Sequence, residues 1–212
     1  MSDFSYNSYE KTIKNYFNNN YKIGGFKKLE NSLDENFLIL RHDIDFDISK
    51  AKEFAIFENE IGTDSTYFFR LNCKFYNLLS PNTLNIINEI YNLGHEIGIH
   101  LELNILEKYN FEKIIYELIE ILDKNLNINI HSYSLHEPSR MEQKFSHKDI
   151  CNMFGFTIGS YEDRFFRDIK YLSDSGGRWR EGHFNEWINK EEKLQVLTHP
   201  IWWFKDLSQD SY

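Results

Sequence analysis

The 212-residue sequence predicts an α/β chain in which parallel strands alternate with helices around a barrel. Three observations carry this. Four strand-like segments end in residues that bind metals or move protons: Leu38 to Asp45, His95 to His100, Ser132 to Pro138, and Gln195 to Pro200. Apolar stripes at helical spacing separate most of them. The polar residues gather at the ends of the apolar runs, which is where a barrel of parallel strands keeps its active site.

Tyr9, Ile13, Tyr16 and Phe17 form the apolar stripe of a first helix over 8–18, broken by Asn18-Asn19-Asn20. Gly24-Gly25 and the stretch from Asn31 to Asn36 read as turn-rich chain. Phe37 to Leu40 is the first clear strand. Asp47 or Ser49 then caps a helix with Ala51, Phe54, Ala55 and Ile61 on its buried face, closed by Gly62. Ser65 to Phe69 is β-branched and aromatic, hence a strand. Ser80-Pro81 opens a helix bearing Leu84, Ile87, Ile90 and Tyr91, and Gly94 closes it ahead of a strand over 95–100. Phe111, Ile114, Ile115, Leu118 and Leu122 mark the next helix, followed by a strand near 128–135. A helix over 146–154, a strand from Phe156 to Ser160, a strand from Ile169 to Leu172, a helix over 183–191 and a strand over 194–198 complete the alternation. No repeat or linker interrupts it, so one domain over 1–212 is expected.

The formal charge of −9 and the absence of a basic stripe argue against a nucleic-acid partner. No run approaches the roughly 20 apolar residues of a membrane helix. The N-terminus lacks a basic segment followed by an apolar one, so a cytoplasmic protein is expected. Cys73 and Cys151 lack metal-site or redox spacing and read as reduced thiols.

Asp43 and Asp45 stand two apart at a strand end, so extended geometry points both carboxylates to one face. Two such groups ionise together only where a cation or shared proton relieves them. The plain alternative is a polar strand exit. His95 and His100, five apart, face opposite ways, so only one joins a given site. His100, at the strand's C-terminal end, is the better ligand and His95 the better structural hydrogen-bonder. His136 follows a strand in a Leu-His-Glu-Pro turn. His199, before Pro200, titrates in the range that suits a general acid. Either could equally sit in a surface turn. Asp174 lies in a Gly-rich loop with Trp179. Trp202, Trp203 and Phe204 offer rings to a sugar, or else close the barrel or a subunit contact.

In this order the segments resemble the polysaccharide deacetylase family, the NodB-homology or carbohydrate esterase family 4 group, from about Phe37 to Trp203. Arg41-His42-Asp43-Ile44-Asp45 is similar to the variant first motif with a residue between its aspartates. Gly94-His95-Glu96-Ile97-Gly98-Ile99-His100 is close to the second motif, and Leu197-Thr198-His199-Pro200 to the last. The resemblance implies a distorted (β/α) barrel of the NodB-homology type around a divalent metal, most often zinc, with iron, cobalt or manganese as alternatives. It implies Asp43 as the base, Asp45 and His100 as metal ligands, His199 as the acid, and Asp174 in the loop that orients it. Trp179, Trp202 and Glu102 are the expected substrate contacts, and a carbohydrate is the expected partner.

Two positions depart from the family pattern. The family places a second ligand His four residues after the first, where this chain has Asn104. His136 stands in a motif that ordinarily supplies an Arg to the catalytic aspartate. His136 is the preferred third ligand, with Glu102 and Asn104 as alternatives. The reading that follows is an N-deacetylase acting on an amino sugar or glycan precursor. Its rivals are a sugar-binding barrel without chemistry and a hydrolase of the same fold acting on another amide.

Overall fold

A computed structural model describes residues 4–32, 35–102, 112–138 and 145–205. The elements run α1 (Tyr6–Asn18), β1 (Lys22–Gly24), α2 (Phe26–Leu29), β2 (Phe37–Ile44), α3 (Ile48–Glu60), β3 (Thr66–Arg70), α4 (Pro81–Asn92), β4 (Glu96–Leu101) and α5 (Glu112–Leu126). They continue with β5 (Ser132–Leu135), α6 (His147–Phe154), β6 (Ile158–Gly159), α7 (Asp163–Phe166), β7 (Lys170–Ser173) and β8 (Lys193–Thr198). Every described strand pairing is parallel, in the order β6-β5-β4-β3-β2-β8-β7, with β1 beside the first half of β2. The sheet curls into a half-barrel. No pairing joins β6 to β7 among the described residues, so a seam stays open there.

Local chemistry sets the boundaries. Asp47 caps α3 by accepting from the backbone N–H of Ser49 (2.8 Å) and Lys50 (3.3 Å), so Ser49 lies inside the helix. Ser80 caps α4 just ahead of Pro81. Ser146 and Asp149 form a reciprocal capping box on α6, and Gly155 ends that helix at φ 76°. Three expectations need correction. The Gly24-Gly25 stretch contains β1 and leads into α2, whose N–H groups at Lys27 and Lys28 are capped by Glu96 rather than by a neighbouring residue. The segment over 183–191 holds only the 3-10 turn Phe184–Trp187. The strand expected near 128–135 is confined to β5. Phe111 and Asn104 lie outside the described residues.

Strand alternation sorts the core. One face of β2 sends Phe37 and Ile39 into the barrel, where they meet Phe68, Phe165, Ile158 and the α2 residues Phe26 and Leu29. The space is narrow: a Cβ at Gly98 would sit 2.4 Å from the Phe68 ring, so β4 carries glycine at this height. Thr66 and Glu96 fasten α2 across the N-terminal end of the barrel. The other faces of β2 and β8 pack under α1 and α3, where Leu38, Leu40, Leu194 and Val196 meet Tyr9, Phe54 and Trp203. A third cluster fills the space between β3 to β5 and the helices α3 to α6.

Within the layer under α3 lies a fully buried carboxylate, Glu58. It accepts from Tyr9 Oη (2.5 Å), His42 Nε2 (3.0 Å), Ser65 Oγ (2.7 Å) and Tyr67 Oη (2.8 Å). His95 stands 3.8 Å from it and binds the Ala55 carbonyl, in a structural part. Burial alone would raise the Glu58 pKa, but His42 and its other donors hold it down at about 2. Because the folded value lies below the unfolded one, the group stabilises the fold above about pH 4.5 and loses that contribution as pH falls toward 2. Glu58→Gln is therefore expected to lose several kcal/mol at pH 7 and to show a shallower fall in stability from pH 4.5 to 2 than the parent chain. Urea unfolding at a series of pH values measures both.

Candidate metal centre and its flanking acid and base

The barrel-facing side of β2 continues from Ile39 through Arg41 and Asp43, and Asp45 follows one residue past the strand. The same period of two brings Arg70 from β3, His100 from β4, Ser134 and His136 from β5, and Gln195 and His199 from β8 to this face. The apolar floor of Phe37, Ile39 and Phe68 thus gives way to a polar upper layer at the strands' C-terminal ends.

Three donor atoms converge in that layer. Asp45 Oδ1 is 3.4 Å from His100 Nε2 and 3.2 Å from His136 Nδ1, and the two nitrogens are 3.1 Å apart. Tetrahedral bonds of about 2.0–2.1 Å put neighbouring ligand atoms roughly 3.3 Å apart, so one zinc-sized ion fits this triangle. Hydrogen bonding around His100 fixes which nitrogen faces inward. Its Nδ1 donates to Ser134 Oγ at 2.6 Å, and that hydroxyl donates to Asp43 Oδ1 at 3.3 Å. The Nε2 lone pair is therefore bare toward Asp45 and His136. Asp45 Oδ1 is buried and finds no hydrogen-bond partner among the described residues. Burial would raise the Asp45 pKa, yet His100 and His136, when they carry protons toward it, hold the carboxyl well below the usual range, and a bound ion would take the place of those protons. Bare lone pairs and an orphaned carboxylate oxygen, grouped so tightly, call for a cation. Among the described residues this is the one cluster with ligand spacing.

The alternatives for the third donor separate clearly. Glu102 turns away from the triangle to Arg70, whose Nε donates to it at 2.6 Å. Its charge is already matched by a guanidinium, which takes it out of the ligand triangle, while its side chain lines a hollow together with His100. Asn104 lies outside the described residues.

A second carboxylate, Asp43, is satisfied in a different way. Fully buried Arg41 donates Nε to Oδ1 (2.9 Å) and Nη2 to Oδ2 (2.7 Å), a two-pronged pair within one strand. The guanidinium also donates to Gln195 Oε1 (3.2 Å) and stacks on the Tyr161 ring at 4.7 Å. Gln195 then reaches the Ser160 and Phe165 carbonyls, tying β8 to the far side of the open seam. Burial would raise the Asp43 pKa; Arg41 and His100 lower it, so it is a carboxylate. Its Oδ2 lies 3.6 Å from His100 Nε2, beside the triangle.

His199 approaches from the opposite edge, with Nε2 3.7 Å from Asp45 Oδ2. Its Nδ1 donates to Asp174 Oδ1 at 2.6 Å, and Asp174 also accepts the His199 backbone N–H and Trp203 Nε1 (3.0 Å). Burial would lower the His199 pKa, but Asp174 overrides it and pushes it up to about 9. At neutral pH the ring carries a proton on the nitrogen that faces the cleft.

The expected aromatic contacts divide. Trp202 is partly exposed, with its ring against Gly177. Trp179 needs correction: it is buried in the layer beneath α1, packed on Phe184, and offers no free face to a sugar. A hollow of about 240 Å³ is lined by His100, Asn72, Glu102 and Leu118 among others, and a cleft of about 620 Å³ by Pro138, His147, Tyr161, Glu162 and Phe166 among others. Tyr161 is a wall of this cleft and also covers Arg41. Sequence reasoning gave no role to Arg41, Ser134 or Gln195. Arg41 and Ser134 each stand two residues before a predicted site residue on the same strand, which was the available signal. No helix among the described residues is long and apolar enough to cross a membrane.

No family model and no curated protein matches the sequence. Solved structures do match by fold. The Streptococcus pyogenes deacetylase PplD in complex with acetate superposes with a TM-score of 0.53 at 12% identity, over 93% of this chain and 84% of that one. A mutant of a carbohydrate esterase family 4 pseudoenzyme from Bacillus anthracis, with restored enzymatic activity, gives 0.52 at 10% identity over 79% of this chain. This chain spans 57% of that protein's length. The family 4 domain of a multidomain xylanase, from the hindgut metagenome of Trinervitermes trinervoides, gives 0.51 at 12% identity over 78% and 74%. The half-barrel is thus the fold of the carbohydrate esterase family 4 structures.

Titration with zinc is expected to load one ion per chain. Asp45→Ala, His100→Ala and His136→Ala should each weaken binding by more than the about 10- to 100-fold that outer-shell changes cause. Glu102→Gln should leave it near the parent value. Calorimetry with elemental analysis reads both, and full zinc affinity in His136→Ala would remove that residue from the ligand set.

Proposed function

We propose that this chain is a divergent member of the carbohydrate esterase family 4 group, a metal-dependent hydrolase that removes an N-acetyl group from an amino sugar or glycan precursor. The observation that carries the reading is the triangle of Asp45, His100 and His136 donors, flanked on one side by ionised Asp43 and on the other by protonated His199. Zinc is the ion that two imidazoles and one carboxylate fit best, and it would polarise the acetamide carbonyl and make a bound water acidic.

The remaining chemistry belongs to the chain's own residues. Asp43 is the base that takes a proton from the attacking water. Arg41 holds its carboxylate in one orientation, and Ser134 ties it to the His100 ring. His199 donates its Nε2 proton to the amine nitrogen as the C–N bond breaks. Asp174 stabilises the charged ring before that transfer and keeps its other nitrogen occupied. The hollow lined by His100 and the cleft walled by Tyr161 and Phe166 offer the sugar places to lie, and half-exposed Trp202 is a further ring for it to meet.

The test is acetate release from N-acetylhexosamines and their oligomers by zinc-, cobalt-, manganese- or iron-loaded protein. Turnover of at least one is expected. Fully loaded protein that cleaves no acetamide would favour a sugar-binding barrel, or a hydrolase of another amide. Asp43→Asn and His199→Gln are each expected to keep the metal and lower kcat by about 10²- to 10⁴-fold. Loss of the metal in both variants would show that the roles of base, acid and ligand have been misassigned.

A further inference from the structure

The buried Glu58 network touches the strands of the base and the acid from behind. On β2, His42 faces α3 while its neighbour Asp43 faces the cleft. On β8, Thr198 faces α3 while its neighbour His199 faces the cleft. His42 and Thr198 are register partners in the parallel pairing of β2 and β8. Their side chains are joined: Thr198 Oγ1 and His42 Nδ1 are hydrogen-bonded at 2.6 Å, and His42 Nε2 donates to Glu58 Oε1 at 3.0 Å.

In an open cleft, a hydroxyl, an imidazole and a carboxylate in this order would make a nucleophile triad. Here Thr198, His42 and Glu58 are all fully buried, so no substrate reaches the hydroxyl. We propose that Thr198, His42 and Glu58 form a positioning device that sets the separation of Asp43 and His199 from the rear of the sheet. The proposal rests on the roles given above to Asp43 and His199.

Three features support positioning over simple filling of the core. Apolar residues of similar volume would fill this space without burying a charge, so the carboxylate is not there for packing alone. The His42 ring is gripped on two sides, edge-on by Phe54 at 5.1 Å and tilted against Tyr67 at 4.6 Å, so it transmits rather than absorbs displacement. Both strand contacts fall one residue from a catalytic group, with backbone alone between. Parallel pairing fixes register in whole residues; a side-chain bridge fixes the finer height of one strand end against the other. A misplacement of about 1 Å costs on the order of 100-fold in rate.

Thr198→Val and Thr198→Ala remove the hydroxyl with different bulk, and Thr198→Ser keeps it. In zinc-loaded full-length protein, with N-acetylglucosamine oligomers as the probe, both hydroxyl-less variants are expected to lower kcat by about 10- to 100-fold. KM should stay within about twofold and zinc at one per chain, while Thr198→Ser stays close to the parent kcat. The ¹⁵N-detected imidazole resonances of His199 should shift in the first two variants and not in the third. Unchanged kcat with unchanged His199 resonances in Val and Ala would overturn the proposal, as would a loss in Ala alone, which assigns the effect to lost bulk, or in Val alone, which assigns it to the added methyl. If the parent chain releases no acetate, that result counts against the deacetylase reading, and the His199 resonances alone decide the coupling.

Discussion

Two aspartates on one face of one strand end cannot both be charged in a buried place unless positive charge meets each of them. This chain answers the two demands separately. Asp43 receives a guanidinium from its own strand, two residues earlier, in an ion pair closed off from water. Asp45 faces two imidazole nitrogens, with the Arg70 guanidinium 4.0 Å and the His199 ring 3.7 Å from its oxygens, and the space between them leaves room for a metal ion. The rest of the upper layer follows. Arg41 needs Gln195 and Tyr161 to complete its hydrogen bonds and stacking; Ser134 must orient His100; Arg70 must draw Glu102 aside.

The same constraint links the two departures from the family pattern. His136 stands where the family's third motif supplies an arginine, and here it turns its Nδ1 to the metal triangle instead. The arginine's partner, Asp43, is held by Arg41. Arg41 on β2 matches the Asp43 charge, so the position after β5 is left to His136 beside Asp45.

Much of this was legible in the sequence, and the missing parts share a cause. The alternation of strands and helices, the glycine ends and the capping residues are local signals, and the structure bears out the barrel. Ligand geometry was partly legible because strand alternation tells which side chains share a face. What alternation does not tell is how far a long side chain reaches. Glu102 and His136 were both on the correct face, and only the Arg70 guanidinium beside Glu102 separates them. Trp179 was misread because an indole in a Gly-rich loop looks exposed, whereas the loop folds back onto Phe184. The helix α2 has only four residues and depends on Glu96, 69 and 68 positions from the two N–H groups it binds, for its cap.

The unpaired seam has a consequence for the chain's behaviour in solution. Ordinarily a sheet that fails to close presents two rows of free backbone groups on which another molecule can add a strand. Here the terminal strands are β6, with two residues, and β7, with four. Such short borders leave few backbone groups for an added strand, and α7, packed on β7 and β8 with Phe165 in the barrel and its carbonyl held by Gln195, stands between them.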